Sequence, residues 1–254
     1  MMMPNQANTS NALTLGYDLD MWNEYRVKIP ITVDISPDTN SHILVCGMSG
    51  SGKSYASLWY FNMLSTAKPD GEFYMADYKG EDAFGFLREC PRYWSFKSTL
   101  EALDIVHTRM NARLSGEDKT RNQITLIWDE YMANILSLIN EDKKLASVVM
   151  NKVSEILLMG RSMSVRIIIS CQRPDALAFP AGSRLNYGVV VVLGAALRSV
   201  YEMLLPDFRG KAEGRIFGRG EGVALIQGTH LHFIKIPTIR DYKQMQENCI
   251  QALS

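Results

Sequence analysis

The sequence contains no long apolar run. Its longest such stretch, 188–197, has about half of the ~20 residues that a membrane-spanning helix requires. The first ten residues are polar and do not have the pattern of a signal sequence. We therefore expect a cytoplasmic protein that has no membrane segment of its own.

Cysteine and histidine are both scarce. The four cysteines are Cys46, Cys90, Cys171 and Cys249. They are widely spaced and form no CxxC pair, so the sequence predicts neither a disulfide framework nor a zinc site. His107, His230 and His232 also lack metal-ligand spacing, and a structural or surface role is expected for them.

An excess of one charge is absent too, because 27 Lys and Arg residues balance 27 Asp and Glu residues. The chain thus lacks an overall positive field for nucleic acid, although a neutral protein can still line one groove with basic side chains. With 254 residues, of which 46% are hydrophobic, the chain can form one large core. Residues 1–12 have no periodicity and predict a flexible tail, followed by a single domain over 13–254.

The most informative motif that is present has the pattern G-x-x-x-x-G-K-[ST]. It consists of Gly47, Met48, Ser49, Gly50, Ser51, Gly52, Lys53 and Ser54. The preceding apolar run 43–46 is typical of a strand, and the residues from Tyr55 onward are typical of a helix. In such a loop the backbone N–H groups bind phosphate, Lys53 reaches the β- and γ-phosphates, and the Ser54 hydroxyl ligates Mg²⁺. The sequence therefore predicts a nucleoside triphosphate and Mg²⁺ site over residues 47–55.

Strands and helices alternate along the rest of the chain. The predicted strands after the loop are 73–76, 124–128, 167–170 and 189–193. Helical periodicity at 100–114 and 145–157 separates them, and the runs 223–226 and 231–236 predict a closing hairpin. We therefore predict an α/β, RecA-like P-loop ATPase fold with a mainly parallel central sheet flanked by helices and a C-terminal antiparallel hairpin.

Polar residues follow two of these strands. Beside the loop, Asp129 can hold Mg²⁺ directly or through water, and Glu130 can polarise the attacking water. The alternative for this pair is a solvated acidic turn. Gln172 ends the next strand, where its amide can donate to a phosphate oxygen and accept from the lytic water, unless it is an ordinary strand-end glutamine.

Together, these segments resemble the motor domain of FtsK/SpoIIIE-type DNA translocases, within the FtsK/HerA group of P-loop ATPases. The likeness covers about Leu15 to Asp241 and depends on the order of several segments. They are 41–46 running into the loop, Asp77-Tyr78-Lys79-Gly80-Glu81, Ile127-Trp128-Asp129-Glu130, Gly160-Arg161 and Cys171-Gln172-Arg173-Pro174. The segment 77–81 is also similar to the DPKGE-type segment of conjugative coupling proteins.

The resemblance implies ATP as the nucleotide, a hexameric ring with sites at subunit interfaces, and double-stranded DNA in the central pore. An arginine from the neighbouring subunit would stabilise the charge of the γ-phosphate transition state. Arg161 is the first candidate because it matches the family's arginine ahead of the QRP strand, with Arg184 second and Arg109 third. Each could instead be an ordinary surface arginine. The candidate DNA-contacting loops are 176–186, through Arg184, and 117–121.

These features predict Mg²⁺-dependent ATP hydrolysis that drives translocation or transfer of DNA, in conjugative transfer, replication or maintenance of a mobile element. The membrane segments, upstream domain and winged helix of full-length translocases would not fit in 254 residues, so septal chromosome segregation is not expected. Two alternatives stay open. One is a secretion-type ATPase that moves a protein substrate, and the other is an ATP-dependent switch that recruits a relaxase or a replication initiator.

Overall fold

The computed structural model describes residues 11–36, 42–179 and 185–254. In chain order the strands are β1 (Ala12–Asp18), β2 (Pro30–Asp34), β3 (Ile43–Gly47), β4 (Glu72–Asp77), β5 (Tyr93–Ser95), β6 (Ile124–Asp129), β7 (Val165–Cys171), β8 (Val189–Leu193), β9 (Glu221–Ile226) and β10 (His230–Lys235). The helices are α1 (Leu19–Tyr25), α2 (Lys53–Ala67), α3 (Thr99–Ser115), α4 (Tyr131–Glu141), α5 (Lys143–Met159), α6 (Arg198–Leu204), α7 (Arg209–Ala212) and α8 (Tyr242–Ala252).

Within these ranges the strands form one sheet in the order β2-β1-β10-β9-β8-β3-β7-β6-β4-β5. The part from β8 to β5 is parallel. Strands β9, β10, β1 and β2 extend it with antiparallel pairs. The predicted RecA-like α/β fold is therefore confirmed, including the antiparallel hairpin of β9 and β10.

The sheet has a hydrophobic core on each face because side chains alternate along every strand. On β3, Leu44 and Cys46 belong to the core that also contains residues of α3, α4 and α5. Ile43 and Val45 belong to the opposite core, which contains residues of α2 and α8. Burial on both faces explains why the parallel strands are continuous apolar runs in the sequence.

The two outermost strands of the antiparallel extension, β1 and β2, were not predicted. Strand β1 begins at Ala12, the last residue of the predicted tail, and pairs there with Asp34 of β2. Residues 1–10 of the predicted tail lie outside the described residues. The alternation of Leu13 and Leu15, both fully buried, is the signal by which the sequence indicates β1.

Helix α5 differs from its predicted pattern of burial. Its first turn is capped by Asp142, whose carboxylate accepts from the backbone N–H of Leu145 at 3.0 Å. The helical periodicity of 145–157 predicts one buried stripe that includes Leu145 and Val148, and for these two residues it is wrong, because their exposed fractions are 41% and 48%. The other residues of the predicted stripe, Val149, Val153, Ile156 and Leu157, are buried as expected.

One edge of the sheet collects the carboxyl ends of the parallel strands. The residues at these ends are Gly47 of β3, Asp77 of β4, Asp129 of β6, Cys171 of β7 and Leu193 of β8. In open parallel sheets this edge is where ligands bind. Among the described helices, none combines the length and apolarity needed to cross a bilayer.

Candidate nucleotide-binding site

The loop between β3 and α2 is shaped by its glycines. Gly50 and Gly52 have φ angles of 81° and 97°, in the left-handed region that disfavours other residues. A Cβ at Gly47 would collide with the Ser51 hydroxyl and would lie 2.9 Å from the carbonyl oxygen of Leu193. Since no side chain caps the first turn of α2, its N–H groups are available to an anion.

A second turn lies against this loop. The backbone N–H of Gly220 donates to the Ser51 carbonyl at 2.8 Å, and a Cβ on Gly52 would lie 3.1 Å from the Gly220 nitrogen. This close approach of two backbones places Arg219 beside the phosphate-binding loop. The turn between α7 and β9 is therefore a wall of the same site.

The two turns enclose a cavity of about 260 Å³. Its lining residues are Met48, Ser49, Gly50, Gly52, Lys53, Ser54, Tyr55, Leu58, Glu81, Ala83, Glu130, Gln172, Arg219 and Tyr242. The structure thus brings together most of the residues predicted for nucleotide binding and catalysis. Arg161 and Arg109 are not among them.

A charged network crosses the floor of the cavity. The Lys53 ammonium donates to Glu130 Oε1 at 2.7 Å, and the side chains of Lys53 and Glu130 are 6% and 2% exposed. Gln172 Nε2 donates to the same oxygen at 3.2 Å, and Lys79 Nζ lies 3.2 Å from Glu130 Oε2. Glu130 is thus held by three side chains from three separate segments.

The charges in this network determine its protonation. Burial by itself would raise the pKa of Glu130, but the hydrogen bond and charge of Lys53, and then Lys79, hold that pKa below its ordinary value. Burial would likewise lower the pKa of Lys53, but the carboxylates of Asp129 and Glu130 raise it. Lys53 and Glu130 are therefore charged at neutral pH, as their predicted roles require.

Asp129 has the features of a metal ligand. Ser170 Oγ donates to its Oδ1 and accepts from the backbone N–H of Glu130 at 3.3 Å. Its Oδ2 is buried and has no hydrogen-bond partner among the described residues. One carboxylate oxygen each from Glu81, Asp129 and Glu130 lies within 4.8 Å of the others. Since Mg²⁺ prefers hard oxygen ligands, this donor set fits the ion, and Ser54 lines the same cavity.

Asp129→Asn is expected to stabilise the protein without Mg²⁺ and nucleotide more strongly at pH 7.5 than at pH 4.5. Burial raises the pKa of Asp129 from 3.8 to about 6 in the folded protein. Between these values the folded state binds more protons than the unfolded state, so the stability from this group falls as the pH rises. Asparagine carries no charge at any pH, so it removes the free-energy cost of a buried, ionised Asp129. Thermal unfolding in EDTA at both pH values measures the difference, with Asp104→Asn as a surface control.

An equal effect of Asp129→Asn at the two pH values would show that burial does not penalise the Asp129 charge. A lower melting temperature for the variant at pH 7.5 would show that the attraction to Lys53 outweighs burial.

The arginines predicted to act on a neighbouring site lie elsewhere in the fold. Arg161 is exposed in the 3₁₀ helix Gly160–Met163 before β7, at the sheet edge opposite the phosphate-binding loop. Arg109 forms a two-bond contact with Glu72, at 2.9 and 3.0 Å, at the amino end of β4. Neither can reach the cavity of its own chain from there. Arg184 lies outside the described residues.

Four polar side chains that line the cavity or pair with a residue of its lining had no predicted role. Lys79 and Glu81 belong to a segment that carries the family resemblance, but the sequence alone did not assign them a contact. Arg219 and Tyr242 carried no assignment either. The signal for Arg219 is its position between Gly218 and Gly220 in a glycine-rich turn, a setting common in phosphate-binding loops.

Arg219→Ala is expected to weaken ATP binding by about tenfold, the lower end of the range for one charge-assisted hydrogen bond, because the guanidinium is exposed. Arg219 is exposed, and none of the described carboxylates forms an ion pair with it, so its guanidinium is available to a phosphate. Titration with ATP, ADP and AMP measures the change, and Arg240→Ala serves as an exposed control. A loss that is equal for all three nucleotides would place Arg219 at a group that they share, the α-phosphate, ribose or base, and not at the β- or γ-phosphate.

Comparisons with known proteins agree with this geometry at the level of the fold. No model of a protein family and no curated protein matches the sequence. The conjugation coupling protein TcpA of pCW3, solved with ATPγS, superposes with a TM-score of 0.71 and 19% identity, over 96% of this chain and 71% of TcpA. The chain has the fold of FtsK/HerA-type P-loop ATPases.

Two further structures support this fold. The cytoplasmic domain of the type VII secretion ATPase EccC from Thermomonospora curvata has a TM-score of 0.68 and 17% identity. It matches 99% of this chain, which spans only 32% of the EccC chain. The genome-packaging NTPase B204 of Sulfolobus turreted icosahedral virus 2 has a TM-score of 0.52 and 11% identity, over 80% of this chain and 100% of B204.

Proposed function

We propose that this protein hydrolyses ATP with Mg²⁺ and uses the energy to move or transfer DNA. The observation that supports it best is the convergence of Lys53, Glu130 and Gln172 on one cavity beside Asp129. These residues come from the segments that follow three different strands, β3, β6 and β7, and their arrangement suits phosphoryl transfer to water. A match to the phosphate-binding motif alone would support binding but not hydrolysis.

Each residue has a part in the proposed reaction. The loop N–H groups and Lys53 hold the β- and γ-phosphates, and Ser54 and Asp129 would hold Mg²⁺. Mg²⁺ supplies charge neutralisation on the phosphate oxygens when it is bound. Glu130 accepts a proton from the attacking water, and Gln172, which already contacts Glu130, orients that water.

The proposed assembly is a homo-oligomeric ring, hexameric by the family resemblance. Arg161 is exposed and far from the cavity of its own chain, as an arginine that serves a neighbouring site must be. A guanidinium that arrives only on assembly would couple hydrolysis to ring formation. Arg161→Ala subunits mixed into native rings should then lower the activity of the whole ring.

The proposed contact with DNA lies at the sheet edge opposite the nucleotide. Lys119 and Arg121 are exposed in the segment before β6. Arg113 anchors this segment, because its buried guanidinium donates to Asp118 at 3.2 Å. We propose that these cations, together with Arg184, contact DNA phosphates without reading the sequence.

Steady-state ATP hydrolysis with and without long double-stranded DNA tests the proposal. We expect several-fold stimulation by DNA at low salt, because phosphate contacts release counterions, and weaker stimulation at moderate salt. Glu130→Gln should abolish the signal in both conditions. Stimulation that does not change with salt would argue against contacts made mainly to phosphate.

A protein substrate is the second candidate function. The likeness to EccC, which covers nearly all of this chain, favours it. A switch that recruits a relaxase or a replication initiator is a third possibility. Hydrolysis that is robust but does not respond to DNA at any salt concentration would support a protein substrate or a switch. Stimulation by a purified relaxase or replication initiator would then favour the switch.

A further inference from the structure

The turn 77–81 at the end of β4 is fixed at its base. The carboxylate of Asp77, which is fully buried, accepts from the backbone N–H of Gly80 at 2.9 Å and from the Tyr93 hydroxyl at 2.7 Å. Gly80 has a φ of 67°, and its carbonyl accepts from Arg88 at 2.8 Å. These contacts set the direction of the residue in the middle of the turn, Lys79.

Lys79 pairs with the buried carboxylate of Glu130. Its ammonium lies 3.2 Å from Glu130 Oε2, whereas Lys53 occupies Oε1 at 2.7 Å. The side chain of Lys79 is 38% exposed, but that of Glu130 is only 2% exposed. An exposed ion pair contributes little to the free energy of folding. A pair with one buried member is less screened by solvent and salt, so the attraction between its charges is stronger.

Binding of ATP changes the partners of Glu130, a step that rests on the proposed function. Lys53 must then direct its ammonium at the β- and γ-phosphates instead of Oε1. Only Gln172 stays on that oxygen, at 3.2 Å, and Lys79 becomes the one described cation that still pairs with the carboxylate. A buried carboxylate without a counter-charge is strongly disfavoured, so Lys79 gains importance when the nucleotide is bound.

We propose that Lys79 is a positioning residue, which holds Glu130 in its catalytic orientation after Lys53 has moved to the phosphates. Because Lys79 contacts Oε2, it leaves Oε1 beside Gln172 to accept a proton from the attacking water. The segment 77–81 is thus a third catalytic element, besides the phosphate-binding loop and the acidic pair.

Three variants test this role under the conditions in which the native protein hydrolyses ATP. Lys79→Met removes the charge and keeps most of the volume, and Lys79→Arg keeps the charge. Lys152→Met is the matched control, because Lys152 is 28% exposed and pairs with Asp104 at 2.7 Å in another part of the surface. The readouts are kcat, KM for ATP, affinity for ATPγS and the circular dichroism spectrum.

We expect Lys79→Met to lose about tenfold in kcat, a part of what a general base contributes, with KM and ATPγS affinity within about twofold. Lys79→Arg should recover most of the activity, and Lys152→Met should match the native protein. Unchanged kcat in a folded Lys79→Met protein would overturn the inference.

A parallel loss of ATPγS affinity would also overturn it, because Lys79 would then bind the triphosphate itself. The failure of the proposed function has a different signature. A native protein that binds ATP but does not hydrolyse it with or without DNA would refute the ATPase, and the role of Lys79 with it.

Discussion

Glu130→Gln is expected to lower the kcat for ATP hydrolysis by about a hundredfold to ten-thousandfold, the usual contribution of a general base. The amide has nearly the same size and can still accept from Lys53, but it cannot take a proton from water. Nucleotide binding should persist or become tighter, because Lys53 is released from an ion pair that holds it at 2.7 Å. The substitution therefore separates the binding of ATP from its hydrolysis.

Single-turnover hydrolysis and titration with ATP measure the two effects of Glu130→Gln. The matched control is Glu141→Gln, since Glu141 also accepts from a lysine, Lys97, at 2.8 Å, but on the exposed surface. A kcat within a few-fold of the native value would assign proton transfer to another group. Glu81, whose carboxylate lies within 4.8 Å of Glu130, would be the next candidate.

Lys53→Ala is expected to weaken ATP binding by about a hundredfold or more and to eliminate hydrolysis. A buried charge-assisted contact to phosphate contributes about 1.5–3 kcal/mol, and the variant has no other cation at this position. The substitution also leaves Glu130 and Asp129 buried without their shared partner. Both carboxylates would then repel the phosphates, which adds to the loss of affinity.

A second consequence of Lys53→Ala distinguishes this buried cluster from a surface phosphate site. Removal of one member of a buried ion pair destabilises a protein, so the melting temperature without nucleotide should fall as well. Lys152→Ala, at an exposed ion pair, should change neither property. An unaltered melting temperature together with lost binding would show that Glu130 keeps a sufficient counter-charge in Lys79 alone.

The central sheet was predictable because its parallel strands are buried on both faces. Except for the edge strand β5, each contains an apolar run in the sequence, most clearly the all-apolar segment of β8. The outer strands lack this signal. Strand β2 buries only Val33 among its residues, and β5 has three residues with none fully buried. The positions of β2 and β5 depend on pairing with neighbouring strands, and this pairing cannot be predicted from the local sequence.

The site was predictable to the extent that its residues are contiguous in the sequence. Loop 47–54 and the pair Asp129 and Glu130 have spacings that the chemistry requires, so the sequence indicates them directly. Lys79 and Arg219 were not assigned, because their contacts with the site cross between segments that are distant along the chain. An exposed lysine or arginine is otherwise indistinguishable from an ordinary surface residue.

The sequence by itself determined that this protein has a phosphate-binding loop, an acidic pair at a strand end and an α/β architecture, because each of these is a local pattern. Only the tertiary structure decided which charges meet. The strand order places β4 beside β6 and β7 beside β3, so Lys79, Glu130, Gln172 and Lys53 come together at one edge. Their protonation and pairing follow from distances of about 3 Å inside a buried cavity, where Coulomb interactions are strong. Those distances exist only after folding.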